Sequence, residues 1–163
     1  MKRNELLNVV VVSVLFFAAT IRAPLFAQEH TPDQHTLLLL HFNGNLNGAQ
    51  GETPTQAQGV AYEPGIFGDG AYFGPGNQVY FASAGNLSST EGSLEFWIKP
   101  RWNGNDGQNH VVLRYGNEGG VLFFKDGGNY WRSIFNRYGF YNPEIGTGLY
   151  VGGEWQANQW HHC

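Results

Sequence analysis

The sequence predicts an all-β sandwich, and three observations indicate it. Glycine occurs 23 times in 163 residues, about twice its average usage, and charged residues make up 13% of the chain, about half the usual share. Short apolar runs recur along the chain, and Asn-Gly, Asp-Gly and Gly-Gly pairs separate several of them. These pairs supply the positive φ angles that tight hairpin turns require. Short strands joined by turns therefore fit the chain better than amphipathic helices.

The N-terminus has the order of a secretory signal peptide. Lys2 and Arg3 precede an apolar stretch, Val9–Thr20, and the small-residue region Ala23–Ala27 follows. The apolar stretch is shorter than the roughly 20 residues that a membrane-spanning helix needs. Residues 1–27 are thus predicted to be a cleaved signal peptide, with an uncleaved anchor as the alternative. The mature chain is expected to be secreted, periplasmic or at the cell surface, with no stable membrane span.

The body of the chain begins after a polar linker at residues 28–35. Thr36–Phe42 is apolar on both alternating faces, which predicts a buried first strand. Asn43–Gly59 is rich in Asn, Gly, Gln and Thr and is predicted to be a long loop. Further strands are expected at Ala71–Phe73, Gln78–Ala82, His110–Tyr115, Val121–Lys125, Asn129–Phe135, Gly148–Val151 and Gln159–His162.

The clearest strand alternation lies in Leu94–Lys99. Phe96 is at the centre of the face that is predicted to join the core, and Trp97 lies on the opposite face. Pro100 ends the run because it cannot donate to a ladder.

Four runs in a fixed order carry a resemblance to a known family. They are Leu38–Gly44, Gly65–Phe73, Ser93–Pro100 and Gln159–His162. Together they resemble the laminin G-like jelly rolls of the concanavalin A-like lectin and glucanase superfamily, over residues 36–163. The resemblance implies an antiparallel two-sheet jelly-roll sandwich, with closing strands that would follow Cys163. The domain is therefore predicted to be incomplete, and the isolated chain to be marginally stable, because unpaired strand edges invite association.

Charge and cysteine content exclude several function classes. The net charge is −4 and the pI is about 5.8, so the chain has no excess of basic residues to attract a nucleic-acid backbone. Nucleic acid is not an expected partner. Cys163 is the single cysteine, which rules out a disulfide within the chain and leaves pairing with another chain open.

Catalysis is not predicted. The hydrolytic branch of the family carries a Glu-x-Asp-x-x-Glu pattern on one strand, and the nearest pair here is Glu91 and Glu95. Four residues of extended strand separate these carboxyl groups by about 13 Å, too far to flank one glycosidic bond. His161 and His162 are neighbours on a predicted strand, so they should point to opposite faces and cannot share one metal ion. We expect one to pack inward and the other to be solvated.

A weak calcium site is considered because some relatives of the resembled fold hold calcium with loop oxygens. The run Asn43–Gly48 mimics the start of an EF-hand loop, but Pro54 stands where a bidentate glutamate belongs, which excludes an EF-hand. The weak candidates for calcium, the one cofactor considered, are Asn43, Asn45 and Asp106. The alternative interpretation is that these residues form turns.

Aromatic residues beside turns are the remaining candidates for a binding site. Flat apolar rings with polar rims suit sugar rings, although large aromatics also fill sandwich cores. The candidates are Trp102, Tyr130, Trp131, Arg132, Tyr138 and Trp155. The sequence thus predicts an exported, non-catalytic module that binds carbohydrate, with a glycan or an extracellular protein as partner. The alternatives are a protein-binding or structural, adhesive module of a larger protein, and an accessory part of a glycoside hydrolase.

Overall fold

The computed structural model describes residues 28–88, 91–115, 120–136 and 145–163. Within these ranges the chain is all-β, without helix, and every strand pairing is antiparallel. The predicted fold class is thereby confirmed at the level of an all-β, sandwich-like protein. The predicted signal peptide lies outside the described residues. In the part of the chain that is described, no helix has the length and apolar character needed to cross a membrane.

The strands form one larger sheet and three pairs. The strands are β1 Gln56–Gln58, β2 Ala61–Pro64, β3 Asp69–Tyr72, β4 Gln78–Tyr80, β5 Trp97–Ile98, β6 His110–Tyr115, β7 Gly120–Lys125, β8 Tyr130–Asn136, β9 Ile145–Tyr150 and β10 His161–His162. Strands β6, β7, β8 and β9 form the larger sheet in chain order, and the pairs are β1 with β4, β2 with β3, and β5 with β10. The larger sheet is therefore a simple meander.

The prediction of a first strand at Thr36–Phe42 is wrong. This segment has no strand ladder, and its backbone bonds to the neighbouring loop through the Ala49 amide, which donates to the Leu39 carbonyl at 2.9 Å. Phe42 then takes a positive φ of 59°, a left-handed conformation that breaks an extended run. Apolar content alone could not reveal that the segment lacks a strand partner.

The loop predicted at Asn43–Gly59 contains β1, so that prediction is wrong at its C-terminal end. A turn at Gly74–Asn77 is closed by a 3.0 Å hydrogen bond from the Asn77 amide to the Gly74 carbonyl. The two strands beside this turn do not pair with each other, because β3 pairs with β2 and β4 with β1.

The larger sheet has two distinct faces. Side chains alternate along β8, so Trp131 points to one face, here called the inner face, while Tyr130 and Arg132 point to the other, the outer face. Register assigns Phe123 and Lys125 of β7 to the inner face. In β6 the pairing with β7 shifts between Val111 and Leu113, an irregularity of the bulge type.

The β5–β10 pair covers the inner face. Phe96, next to β5, exchanges two backbone hydrogen bonds with Cys163, at 3.0 and 2.9 Å. Its ring contacts Phe123 edge-on, with centroids 5.7 Å apart, and lies 6.2 Å from the ring of Trp131. The prediction that Phe96 faces the core and Trp97 faces away is confirmed, since Trp97 is exposed. Two layers therefore meet through aromatic side chains.

Side-chain contacts attach the N-terminal segments to this body. The Arg101 guanidinium pairs with Glu63 of β2 and lies over the ring of Tyr72 of β3, 4.2 Å from its centroid. His30, in the predicted linker, pairs with Glu95 at 3.1 Å. The segment predicted to be a linker thus contacts the run that leads into β5.

Candidate functional site

A column of nearly parallel rings fills the space between the two layers. Trp102 stacks on His110 with centroids 4.4 Å apart and planes 6° from parallel. Trp102 also stacks on Trp155 at 5.8 Å, and Trp155 stacks in turn on His161 at 4.2 Å. Trp131 approaches Trp155 at 5.0 Å. We refer to these five residues as the aromatic column.

One end of the aromatic column carries a buried ion pair. The Lys125 side chain has no exposed surface, and its ammonium group donates to the Asp106 carboxylate and to the Gln108 carbonyl. His110 contacts the second oxygen of Asp106 through Nε2 at 2.6 Å. Burial raises the pKa of Asp106, but the hydrogen bonds from Lys125, the Gln108 amide and His110 outweigh it, and the pKa falls from 3.8 to about 2. The Asp106 carboxylate is therefore ionised and paired across the neutral range.

The other end of the column is apolar in character. The Nε2 atom of His161 is buried and has no hydrogen-bond partner among the described residues. Burial lowers the pKa of His161 below its ordinary value, since the charged ring would lose its hydration. His162, by contrast, is exposed on the opposite face of β10. The prediction that one histidine packs inward while the other is solvated is confirmed.

The column accounts for the three tryptophans among the predicted carbohydrate-binding residues. Trp155 is buried and stacks on both Trp102 and His161. Trp131 contacts Phe96 and Trp155, and Trp102 lies between His110 and Trp155. The structure brings these three tryptophans together, with Trp155 buried and Trp102 and Trp131 partly exposed, and each of them contacts other rings.

Tyr130 and Arg132 lie elsewhere, on the outer face. Tyr130 is directly opposite Tyr150 of β9 in the ladder, and their rings meet edge-on with centroids 5.4 Å apart. Tyr130 is 38% exposed and Tyr150 is 53% exposed. The Arg132 guanidinium lies over the Tyr130 ring, 4.8 Å from its centroid. We call Tyr130, Arg132 and Tyr150 the tyrosine platform.

Asp126 fixes the orientation of two members of the tyrosine platform. Its Oδ1 accepts from the Tyr130 amide at 2.9 Å, and its Oδ2 accepts from Arg132 Nε at 2.7 Å. Burial raises the pKa of Asp126, but these two bonds outweigh it and hold the pKa below its ordinary value. The local fold supplies this geometry, because Asp126 and Asn129 close the β7–β8 hairpin through a 3.0 Å backbone bond, with Asn129 at a positive φ of 67°.

The platform combines the two contacts that sugar recognition requires. Exposed tyrosine rings offer flat apolar surface with hydroxyl groups at the rim, and the guanidinium offers several N–H donors. Because Asp126 holds the guanidinium by Nε, the remaining donors are fixed in direction. The arrangement can bind a ligand by stacking and hydrogen bonding.

The calcium candidates are occupied by other contacts. The Asn43 side chain accepts from the Asp69 amide at 3.0 Å, and the Asn45 side chain accepts from the Asn47 amide at 2.9 Å. Lys125 supplies the positive charge at Asp106. Within the described ranges no three His, Cys, Asp or Glu side chains are grouped so as to hold a metal ion. These residues fit the turn interpretation better than a calcium site.

The other residues weighed in the sequence lie apart from the platform. The Glu95 carboxylate faces His30 at 3.1 Å and His162 at 3.7 Å, and its side chain is largely exposed. The Glu91 amide lies 3.4 Å from the hydroxyl of Ser88. Tyr138 falls outside the described residues, so its predicted role in binding stays a prediction.

Sequence reasoning missed Tyr150 and Asp126. Both could have been found from the hairpin turn between Lys125 and Tyr130, since the turn fixes the register and places Asp126 at the foot of the next strand. Tyr150 is then opposite Tyr130 if β9 is a meander neighbour of β8.

Comparison of the chain with family models, with curated proteins and with solved structures finds no match in any of the three.

Proposed function

We propose that this chain is an exported, non-catalytic jelly-roll module that binds carbohydrate through the tyrosine platform. The observation that carries the proposal is the exposed, cross-strand pair of Tyr130 and Tyr150 with the Arg132 guanidinium lying over one of its rings. The jelly-roll topology, the export and the resemblance to laminin G-like domains are parts of this proposal, and they are supported by the sequence patterns.

The expected mode of binding is a sugar ring stacked on one tyrosine, with its hydroxyl groups facing the guanidinium. An aromatic contact of this kind contributes about 0.5–1.5 kcal/mol beyond the buried area. The platform lies on the open face of a sheet, and the affinity of a single site should therefore be weak, with a Kd on the order of 0.1–1 mM.

A protein-binding or adhesive module is the second candidate. It is favoured by the exposure of large apolar side chains on the two edge strands of the larger sheet, Val111 on β6 and Leu149 on β9. Edge strands with apolar side chains are common sites of strand addition by a partner chain. An accessory role in a glycoside hydrolase would use the same carbohydrate-binding residues of the tyrosine platform.

A glycan array with the full chain tests the proposal. Wild-type protein is expected to bind at least one glycan class, and Tyr150→Ala should weaken that binding by about 10-fold, as loss of one stacked ring predicts. Tyr80→Ala is the matched control, because Tyr80 is a similarly exposed tyrosine in another sheet. Binding that is lost equally in both variants, or no binding to any glycan, would refute the proposal and favour the protein-binding candidate.

A Trp131→Ala variant is unsuitable for this purpose. Trp131 packs against Phe96 and Trp155 inside the sandwich, so its removal would disturb the fold and lower binding indirectly.

A further inference from the structure

We infer that the tyrosine platform selects sugars that carry an oxyanion, with the carboxylate of a uronic acid as the expected group. The inference rests on the proposed function, because it names the ligand class of the same site. It is carried by the way Asp126 and Gly148 orient Arg132.

The Arg132 guanidinium can offer an incoming ligand hydrogen-bond donors but no acceptors. Its Nε is held by Asp126 at 2.7 Å, and among the described residues no acceptor is hydrogen-bonded to Nη1 or Nη2. The Arg132 side chain is 40% exposed, whereas that of Asp126 is 20% exposed and already accepts two bonds. A guanidinium held by Nε still has its two terminal nitrogens side by side. This geometry lets the two nitrogens donate parallel hydrogen bonds to the two oxygens of one carboxylate.

Gly148 makes room for this orientation. In the ladder Arg132 is directly opposite Gly148. A Cβ atom at Gly148 would lie 3.0 Å from Nη1 of Arg132, closer than such atoms normally approach. The guanidinium therefore lies close to the bare backbone of β9, with its Cζ 4.8 Å from the centroid of the Tyr130 ring.

A donor-only group discriminates between ligand types. A neutral hydroxyl group both donates and accepts, so it leaves its own hydrogen unpaired against a guanidinium. A carboxylate or sulfate group only accepts, and a charged hydrogen bond is about twice as strong as a neutral one. The nearest carboxylate, that of Asp126, is already paired with Nε of Arg132. The chain carries a net charge of −4, but repulsion from its distant carboxylates is screened beyond about 10 Å at 0.1 M salt. The local fork should therefore decide the preference.

The experiment compares matched ligands that differ only in charge. Oligosaccharides of galacturonate, glucuronate and mannuronate are titrated calorimetrically into the full chain, each beside its methyl ester, which keeps the ring and removes the charge. We expect at least one acid to bind about 10-fold more tightly than its ester. Arg132→Gln should weaken binding of the acid much more than binding of its ester, so that the preference disappears, and Gly148→Ala should reduce the preference without abolishing it.

The outcomes separate this inference from the proposed function. If neutral sugars or esters bind as well as the acids, the acidic preference is overturned and carbohydrate binding stands. If Arg132→Gln keeps the preference, the fork is not its origin and the inference fails. If no glycan binds wild-type protein while circular dichroism shows a folded β protein, both proposals fail.

Discussion

Strand β8 contributes residues to both the aromatic column and the tyrosine platform, yet the two regions differ in exposure. Trp131 of β8 enters the column and is enclosed by Phe96 and Trp155, while its neighbour Tyr130 lies exposed on the outer face beside Tyr150. Both regions are aromatic, and each has a cationic side chain, Lys125 at one end of the column and Arg132 within the platform. What distinguishes them is strand alternation, which decides whether a ring is covered by other rings or left open to a ligand.

The two cations differ in the same way. Lys125 is wholly buried, and its ammonium group donates hydrogen bonds to Asp106 and to a backbone carbonyl. Arg132 is anchored at one nitrogen and keeps its remaining donors on the surface. A paired interior charge serves structure, whereas a half-paired surface charge can serve recognition. The predictions below test this division, beginning with the largest expected effect.

Removing the centre of the column should cost the most stability. Trp155→Ala deletes a buried indole that contacts rings on both sides, and the free energy of unfolding should fall by about 3–5 kcal/mol. Urea unfolding followed by circular dichroism measures the loss. Tyr150→Ala is the control from the platform and should change stability by no more than about 1 kcal/mol, since it loses one cross-strand aromatic contact. Equal losses in the two variants would contradict the division.

Breaking the buried ion pair should have the next largest effect. Lys125→Met leaves the Asp106 carboxylate without its ammonium partner, and breaking such a pair typically costs about 3–5 kcal/mol. Asp106 keeps some exposure, so the lower end of that range is expected.

The double variant Lys125→Met/Asp106→Asn removes both charges and should recover part of the loss. A double variant that is less stable than Lys125→Met would show that Asp106 acts through other partners. The same denaturant titration reads out both variants.

Acid should destabilise the column in two windows. His161 has a pKa below its ordinary 6.5, so the unfolded chain binds its proton first, and stability should start to fall as the pH drops below about 6.5. Asp106, with its pKa lowered from 3.8 to about 2, stabilises the fold fully above its unfolded value, and this contribution should disappear between those two values.

Unfolding measured across pH 2–8 gives the profile, and His161→Phe should remove the upper window while leaving the lower one. A profile that is flat from pH 7 to 5 in wild-type protein would contradict burial of His161. Platform variants such as Tyr150→Ala should leave both windows in place.

The smallest expected effect is the coupling between the two platform tyrosines. Cross-strand aromatic pairs contribute about 0.2–1 kcal/mol, and a double-mutant cycle with Tyr130→Ala and Tyr150→Ala should give an interaction energy in this range. A coupling of several kcal/mol would mean that the two tyrosines pack as part of the core. The proposal that they form an exposed binding surface would then be wrong.

Much of the larger sheet could be predicted from the sequence, because its strands are separated by strong turn signals. The predicted strand His110–Tyr115 is confirmed with the same bounds, and those at Val121–Lys125, Asn129–Phe135 and Gly148–Val151 overlap observed strands. The strands of the N-terminal segment are harder to predict from the sequence. They are only three or four residues long, and contacts such as Arg101–Glu63, which join distant parts of the chain, leave no signal in the local sequence.

The candidate site was predictable in its residue types and not in its grouping. The sequence singles out Tyr130 and Arg132, but it does not separate them from Trp131 and Trp155. A one-residue difference in position along a strand reverses the face. The residue types beside a turn do not show which face of the sheet is covered by the second layer. The sequence therefore cannot distinguish an aromatic ring that is covered from one that is exposed.

The shift in register within β6 has a consequence for how this protein behaves in concentrated solution. Val111 and Val112 are both exposed beside it, and a straight, apolar edge of this kind would be a template on which further chains could add strand by strand. A bulge interrupts the regular spacing of the edge amides and carbonyls and increases the local twist. Regular strand-by-strand growth along that edge should therefore be hindered, even though the side chains there are hydrophobic, and a partner strand should add more readily at the other edge strand, β9.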